Sequence, residues 1–129
     1  MAHSDCYSVP PPAGPAGENI YWTSASAQGA NAVEAWYSEV NNCIPSPEAF
    51  TDGCRQGNGV TGHFTAMIWT GVRELGCAFS NDGHIVLCRY KANDYLDNET
   101  PNMNGGSGNY IPHVLPLSRS ASELNHENY

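Results

Sequence analysis

The stretch Gly62-His-Phe-Thr-Ala-Met-Ile-Trp-Thr-Gly-Val72 carries the clearest structural pattern in this chain of 129 residues. Thr61 is a residue type that caps the start of a helix, and Gly71 is one that ends a helix. The stretch therefore predicts a helix with one imidazole, that of His63, in its first turn. The apolar side chains of this helix recur at intervals of three and four residues, which place them on one buried face: Phe64, Met67, Ile68 and Val72.

Three shorter motifs precede this stretch: His3-Ser4, Gly17-Glu18-Asn19-Ile20 and Trp36-Tyr37-Ser38-Glu39. With residues 62–69 they resemble, in the same order, the signatures of the CAP superfamily. This family comprises cysteine-rich secretory proteins, antigen 5 and plant pathogenesis-related proteins of class one. Within the last motif only Ala66 departs, because the family usually has glutamine there. The resemblance extends from His3 to about Tyr110.

The resemblance implies an α+β fold, a three-layer α-β-α sandwich formed by residues 1–117 and followed by a polar tail at 118–129. The chain begins directly at the His3 motif, whereas the resemblance implies helices before it. We therefore expect a domain that lacks its front helices, so that polypeptide from a missing N-terminal segment or another chain must cover part of the sheet. We expect strand residues among Leu75, Phe79, Ile85, Val86 and Leu87 to make that contact, or the chain to be unstable alone.

The resemblance also implies a site, because two histidines and two glutamates of such proteins face one another across a central cleft. Two imidazoles and two carboxylates are suitable ligands for a divalent ion, with zinc as the expected metal. They are equally suited to polarise water as a general base pair. The positions in this chain that match the family's cleft residues are His3, Glu18, Glu39 and His63.

Residues 30–40 show the spacing of an amphipathic helix, with apolar side chains at Val33, Trp36, Tyr37 and Val40. Glu39 lies near the end of this helix, where a negative charge opposes the helix dipole. Its position therefore needs another reason, and we expect a role in the cleft.

Composition excludes two classes of partner. Five basic residues against thirteen acidic ones give a net charge of -8, which repels nucleic-acid phosphates and anionic lipid surfaces. The chain also lacks an apolar run of the roughly 18 to 20 residues that a membrane span requires. We therefore expect one domain that binds no nucleic acid and has no membrane span.

The five cysteines occur without a Cys-x-x-Cys pair. In so short a chain they are typical of disulfides formed in an oxidising compartment, so we expect a secreted, extracellular protein. Cys43 and Cys54 would close a loop rich in glycine, proline and asparagine. Cys6 is left over; its partner lies in a missing segment or another molecule, or it is a free buried thiol.

A hairpin is predicted where Asn81-Asp82-Gly83 separates two runs typical of strands, residues 75–79 and 84–90. With Asp82-Gly83 as a two-residue loop, Cys77 falls directly opposite Cys88, which predicts their disulfide. Alternation along the ladder would place this pair at a hydrogen-bonded site, where disulfides fit less easily, unless a bulge shifts the pairing.

Cys88-Arg89-Tyr90 resembles the Cys-x-Tyr of a second CAP signature, after which the family usually has a Pro-Gly-Asn turn. Here residues 91–104 form a polar insertion. Gly108-Asn109-Tyr110 is similar to that turn but lies later in the chain than the family pattern has it. Asn98-Glu99-Thr100 within the insertion is an N-glycosylation sequon, so Asn98 is a candidate glycosylation site.

Three function classes follow. The chain could be a binding module for a lipid, a sterol or a protein ligand, a metal-dependent hydrolase that uses the His/Glu cleft, or a structural subunit of an extracellular assembly. The sequence has neither a Gly-x-Ser-x-Gly elbow nor a His-Glu-x-x-His helix. The resemblance implies secreted binding proteins, so we expect binding without catalysis.

Overall fold

The computed structural model describes His3 and residues 15–92, 100–102 and 107–118. Strand β1 (Gly17–Trp22) is followed by helix α1 (Gly29–Ser38) and a 3-10 helix (Glu39–Asn42). Helix α2 (Gly62–Ile68), strands β2 (Val72–Phe79) and β3 (Ile85–Ala92) and helix α3 (Ser107–His113) complete these elements. The strands form an antiparallel sheet in the order β1-β3-β2. The predicted α+β class is confirmed. Cys6, Asn98 and residues 119–129 lie outside the described residues.

Helices α1 and α2 pack on one face of the sheet. Val86, one of the strand residues considered for contact outside residues 1–129, is 3% exposed beneath the helices and is therefore covered by the chain itself. Val33 is 48% exposed, so the predicted apolar face of α1 is wrong at that residue; the helix buries Ala32 together with the predicted Trp36. The buried cluster between the helices and the sheet consists of Ala27, Ala32, Trp36, Ala66, Val86, Cys88 and Tyr90.

A second buried cluster lies on the other side of α2. Helix α2 therefore contributes to two cores, with Phe64 in one and Ala66 in the other, instead of presenting a single apolar face. The helix ends at Ile68, and Val72 begins β2. The second cluster consists of Val40, Cys43, Phe50, Cys54, Phe64, Trp69, Tyr110 and Val114.

Residues 108–110, expected to form a turn, lie in helix α3. Tyr110 packs edge-to-face on Trp69 with ring centroids 5.2 Å apart, and the backbone N–H of Val114 donates to the carbonyl of Tyr110 at 2.8 Å. Burial of Tyr110 and Val114 in the second cluster outweighs the weak helix propensity of this segment.

The hairpin pairs the predicted residues across its two strands, but its loop is longer than predicted. Cys77 is opposite Cys88, and the two form a disulfide; Cys43 and Cys54 form another. The N–H of Ser80 donates to the carbonyl of Ile85 at 3.0 Å, so residues 81–84 form the loop instead of Asp82-Gly83 alone. Hydrogen-bonded and non-hydrogen-bonded pairs along the two strands therefore exchange places relative to the prediction. The cysteine pair therefore lies at a non-hydrogen-bonded site, where strands approach closely, and its Cα atoms are 4.1 Å apart.

Asp82 organises this loop. Its Oδ1 accepts hydrogen bonds from the Ser80 hydroxyl at 2.5 Å and from the His84 N–H at 3.0 Å. The bonds from Ser80 and then from His84 hold the pKa of this exposed carboxyl below its ordinary value. The bulge that we allowed for in the hairpin lies between Val72 and Glu74, away from the cysteine pair.

Several strand side chains remain uncovered. Leu75 and Phe79 lie on the face that the helices cover, yet they are 64% and 59% exposed because β2 is at the edge of the described sheet. On the opposite face Trp22 is 57% exposed, while Ile85 and Leu87 are partly buried. Contact of these residues with other polypeptide stays a prediction. Within the described ranges no helix is long and apolar enough to cross a membrane.

Candidate functional site

Glu39 and His63 form the first imidazole–carboxylate pair. Glu39 begins the 3-10 helix directly after α1, which aims its carboxylate at the start of α2. Its Oε2 lies 2.7 Å from Nδ1 of His63, and its Oε1 accepts the backbone N–H groups of His63 at 2.9 Å and Phe64 at 3.2 Å. A carboxylate only accepts hydrogen bonds, so Nδ1 of His63 carries a proton in this pair.

Glu39 thus caps helix α2. Thr61 occupies the predicted N-cap position but makes no side-chain capping bond, so the carboxylate of Glu39 supplies the capping contact instead. The first N–H groups of a helix have no partner within it, and a negative charge is favoured there. A negative charge at the end of α1 is unfavourable for that helix. The capping contact with α2 explains why Glu39 is nevertheless found there.

Asn19 of β1 and Trp36 of α1 both contact His63. The Nδ2 of Asn19, which is 1% exposed, donates to the carbonyl of His63 at 3.0 Å and to the Tyr90 hydroxyl at 3.1 Å. The ring of Trp36 lies nearly parallel to that of His63, with centroids 6.3 Å apart. Our sequence analysis did not single out Asn19, although it follows Glu18 in the second motif and is the motif's residue that points into the core.

Glu18 and His3 form the second pair. Oε1 of Glu18 lies 3.0 Å from Nδ1 of His3, and Oε2 accepts the Nε–H of Arg89 at 3.1 Å. The side chain of Glu18 is 2% exposed, whereas those of His3 and Arg89 are 56% and 49% exposed. Sequence analysis quoted Arg89 only as part of a motif. Arg89 lies on β3 directly opposite Glu18, so the pairing of these two strands would have identified it.

The two pairs lie on opposite faces of β1. Consecutive residues of a strand point to opposite faces, and Asn19 points toward the core and the backbone of His63. Glu18 therefore points to the other face, as its contact with Arg89 requires. The predicted site residues are brought together two by two: His63 with Glu39, and His3 with Glu18.

This arrangement does not fit a zinc site formed by the four residues together. Structural and catalytic zinc sites have three or four protein ligands around one point. Among the described residues, which include all four candidates, no group of three or more His, Cys, Asp or Glu side chains is placed to hold a metal ion. Zinc binding stays a prediction.

The glycosylation site also stays a prediction. Asn98 is outside the described residues, and Thr100, the hydroxyl residue of its sequon, is 1% exposed.

The fold, the two disulfides and the ordered His and Glu motifs together agree with the comparison to known proteins. The family model of the CAP proteins, described as the cysteine-rich secretory protein family, matches residues 1–109. The chain belongs to this family.

Curated relatives come from plants, fungi and animals. The chain is 36% identical over 91 residues to pathogenesis-related protein 1 of Arabidopsis thaliana, covering 68% of this chain and 52% of the relative. It is 38% identical over 80 residues to the human Golgi-associated plant pathogenesis-related protein 1, covering 60% of this chain and 47% of the relative. A third similar protein is scoloptoxin SSD976 of Scolopendra dehaani, 34% identical over 77 residues, covering 57% of this chain and 35% of the relative. The chain spans about half the length of the first two relatives.

Proposed function

We propose that this chain is a secreted binding module that takes up a small apolar ligand, such as a sterol or a fatty acid, and catalyses no reaction on it. One observation carries the proposal. Leu75 and Phe79, which we call the β2 strip, are 64% and 59% exposed on the sheet face that elsewhere forms the core. The apolar surface of that face therefore extends beyond the helices that cover it.

The β2 strip suits a ligand because it is held in place before binding. The disulfide between Cys77 and Cys88 lies between Leu75 and Phe79 and ties β2 to its neighbour. Burying each of these side chains is worth about 1.5 to 3 kcal/mol. Because the strand is fixed already, less of this free energy is lost in ordering the backbone on binding.

The two glutamates of the imidazole–carboxylate pairs are held in structural contacts. A general base must be free to take a proton from water at the reacting centre. Glu39 already accepts two backbone N–H groups and faces the ring of His63. Glu18 is nearly fully buried between His3 and Arg89. Neither glutamate is therefore free to act as a general base, and the sequence has neither a Gly-x-Ser-x-Gly elbow nor a His-Glu-x-x-His helix, so we do not propose the hydrolase alternative.

Secretion is supported by the two disulfides, because such bonds persist in oxidising compartments such as the extracellular space.

A second function, that of a subunit in an extracellular assembly, is favoured by the same strand. β2 is at the edge of the described sheet and is exposed along nearly all its length. An exposed edge is a template for pairing with another chain. In that case a protein, and not a lipid, would cover Leu75 and Phe79.

The test compares ligand binding by the wild type, the double variant Leu75→Ser/Phe79→Ser and the control Val33→Ser. Val33 is a matched control because it is also exposed, at 48%, but lies on α1. A fluorescent sterol and a fluorescent fatty acid are titrated separately into each protein. We expect the double variant to lose at least about tenfold in affinity for the ligand that binds, and the control to keep it.

Equal affinities of the double variant and the wild type would contradict the proposal. Binding of neither probe, together with a native mass that shows a multimer dispersed by the double substitution, would favour the assembly instead.

A further inference from the structure

Arg89 is placed as a permanent cation beside Glu18. The two residues are directly paired across β1 and β3, and the guanidinium Nε lies 3.1 Å from Oε2 of the carboxylate. We propose that Arg89 acts as the resident counter-ion of Glu18 and keeps this glutamate from serving as a ligand to a divalent metal. This inference concerns the His/Glu pairs and is independent of the apolar ligand.

Burial explains why Glu18 needs a counter-ion. Its side chain is only 2% exposed, and an ionised carboxylate is costly to bury unless it is paired and hydrogen-bonded. Both of its oxygens have partners, Oε1 at His3 and Oε2 at Arg89. A guanidinium keeps its charge over the whole accessible pH range, so this compensation is always present.

The strands make the contact hard to displace. Glu18 and Arg89 are held opposite each other by the backbone register of neighbouring strands, so neither residue leaves the pair without a change of side-chain rotamer. A dication bound at Glu18 would lie next to the guanidinium, and these like charges repel. The metal would have to break the ion pair and leave Arg89 without its partner.

Zinc titration of metal-free protein tests this inference by calorimetry, which requires no enzyme activity. The variants are Arg89→Gln, Arg89→Lys and the control Lys91→Gln, which removes a positive charge two residues along the same strand. Nζ of Lys91 lies 3.8 Å from Oε2 of Glu74. We expect Arg89→Gln to raise zinc affinity at least about tenfold, while Arg89→Lys and Lys91→Gln stay near the wild type.

The double variant Glu18→Gln/Arg89→Gln locates the gain. It should return to the wild-type affinity if the new ligand is Glu18, and a gain that survives it would overturn the inference. An affinity of Arg89→Gln equal to or lower than that of the wild type would overturn it too.

A single variant keeps the test decisive if Arg89→Gln does not fold. Glu18→Gln in the presence of Arg89 should leave zinc affinity unchanged, because the proposal holds that Glu18 is not a ligand there. Weaker zinc binding by a folded Glu18→Gln protein would show that Glu18 binds the metal despite Arg89, and would refute the proposal.

Discussion

Glu39 joins two helices through His63: its carboxylate accepts the backbone N–H of His63 at 2.9 Å and lies 2.7 Å from the Nδ1 of the same residue. The glutamate begins the segment after α1, and the histidine opens α2, so one contact fixes the start of the second helix on the end of the first. A motif residue expected to line a cleft therefore has a structural task as well.

Glu39→Ala should lower the free energy of unfolding by about 1 to 3 kcal/mol. The reason is that the N–H groups of His63 and Phe64, both in partly buried contacts, lose their acceptor. Glu39→Gln keeps one oxygen as an acceptor and should lose less. Urea denaturation measures the change, with Glu34→Ala as the control, because Glu34 is an exposed glutamate of α1. Equal stability of Glu39→Ala and Glu34→Ala would show that the cap is unimportant.

Alkaline pH should destabilise the protein through Tyr90. Burial raises the pKa of this phenol, and the hydrogen bond from Asn19 only partly opposes the shift. The folded pKa therefore exceeds the unfolded value near 10, so the contribution is fully present below about pH 10 and is lost as pH rises through the folded pKa.

Denaturation midpoints across this pH range, measured on freshly adjusted samples, check the effect. Tyr90→Phe should show a smaller loss of stability above pH ~10 than the wild type. Part of the loss should remain, because burial also raises the pKa of Tyr110, against the opposing charge of Arg55. An identical pH dependence of Tyr90→Phe and the wild type would be incompatible with this explanation.

Gly53 lies where the loop that Cys43 and Cys54 close meets α3. Its φ of +71° is in the left-handed region, and an added Cβ would overlap the backbone carbonyl of Tyr110. Gly83 is a matched comparison, because it has a φ of +77° but open space around the Cβ position.

Gly83→Ala should cost about 1 to 2 kcal/mol for its backbone conformation alone. Gly53→Ala should cost at least about 1 kcal/mol more, since α3 must move away. Thermal or urea denaturation compares the two variants. The same loss in both would mean that the contact of Gly53 with α3 adds nothing.

Local sequence signals predicted the elements that depend on neighbours in the chain. The spacing around His63 predicted α2, and the Asp82-Gly83 signal predicted the hairpin and placed Cys77 opposite Cys88. The loop was wrong by one residue at each end, because the side chain of Asp82 stabilises a four-residue turn that no dipeptide rule contains.

Contacts between distant segments could not be predicted in the same way. The motif order indicated His3, Glu18, Glu39 and His63 as a set, but nothing in their spacing shows which glutamate meets which histidine. The capping bond of Glu39 spans 24 positions, and the contact of Arg89 with Glu18 spans 71. Both follow from the strand register and helix placement, which the whole fold sets.

The most direct test of the central claim, binding of an apolar ligand on the β2 strip, is a map of amide chemical shifts in isotopically labelled protein. Whichever of the sterol and the fatty acid binds more tightly is added stepwise. We predict that the largest shifts fall in the hairpin, at Leu75 and Phe79 and at Val86 and Tyr90 on the neighbouring strand. Shifts centred instead on Glu39 and the start of α2, or saturation with no shift in β2, would contradict the account.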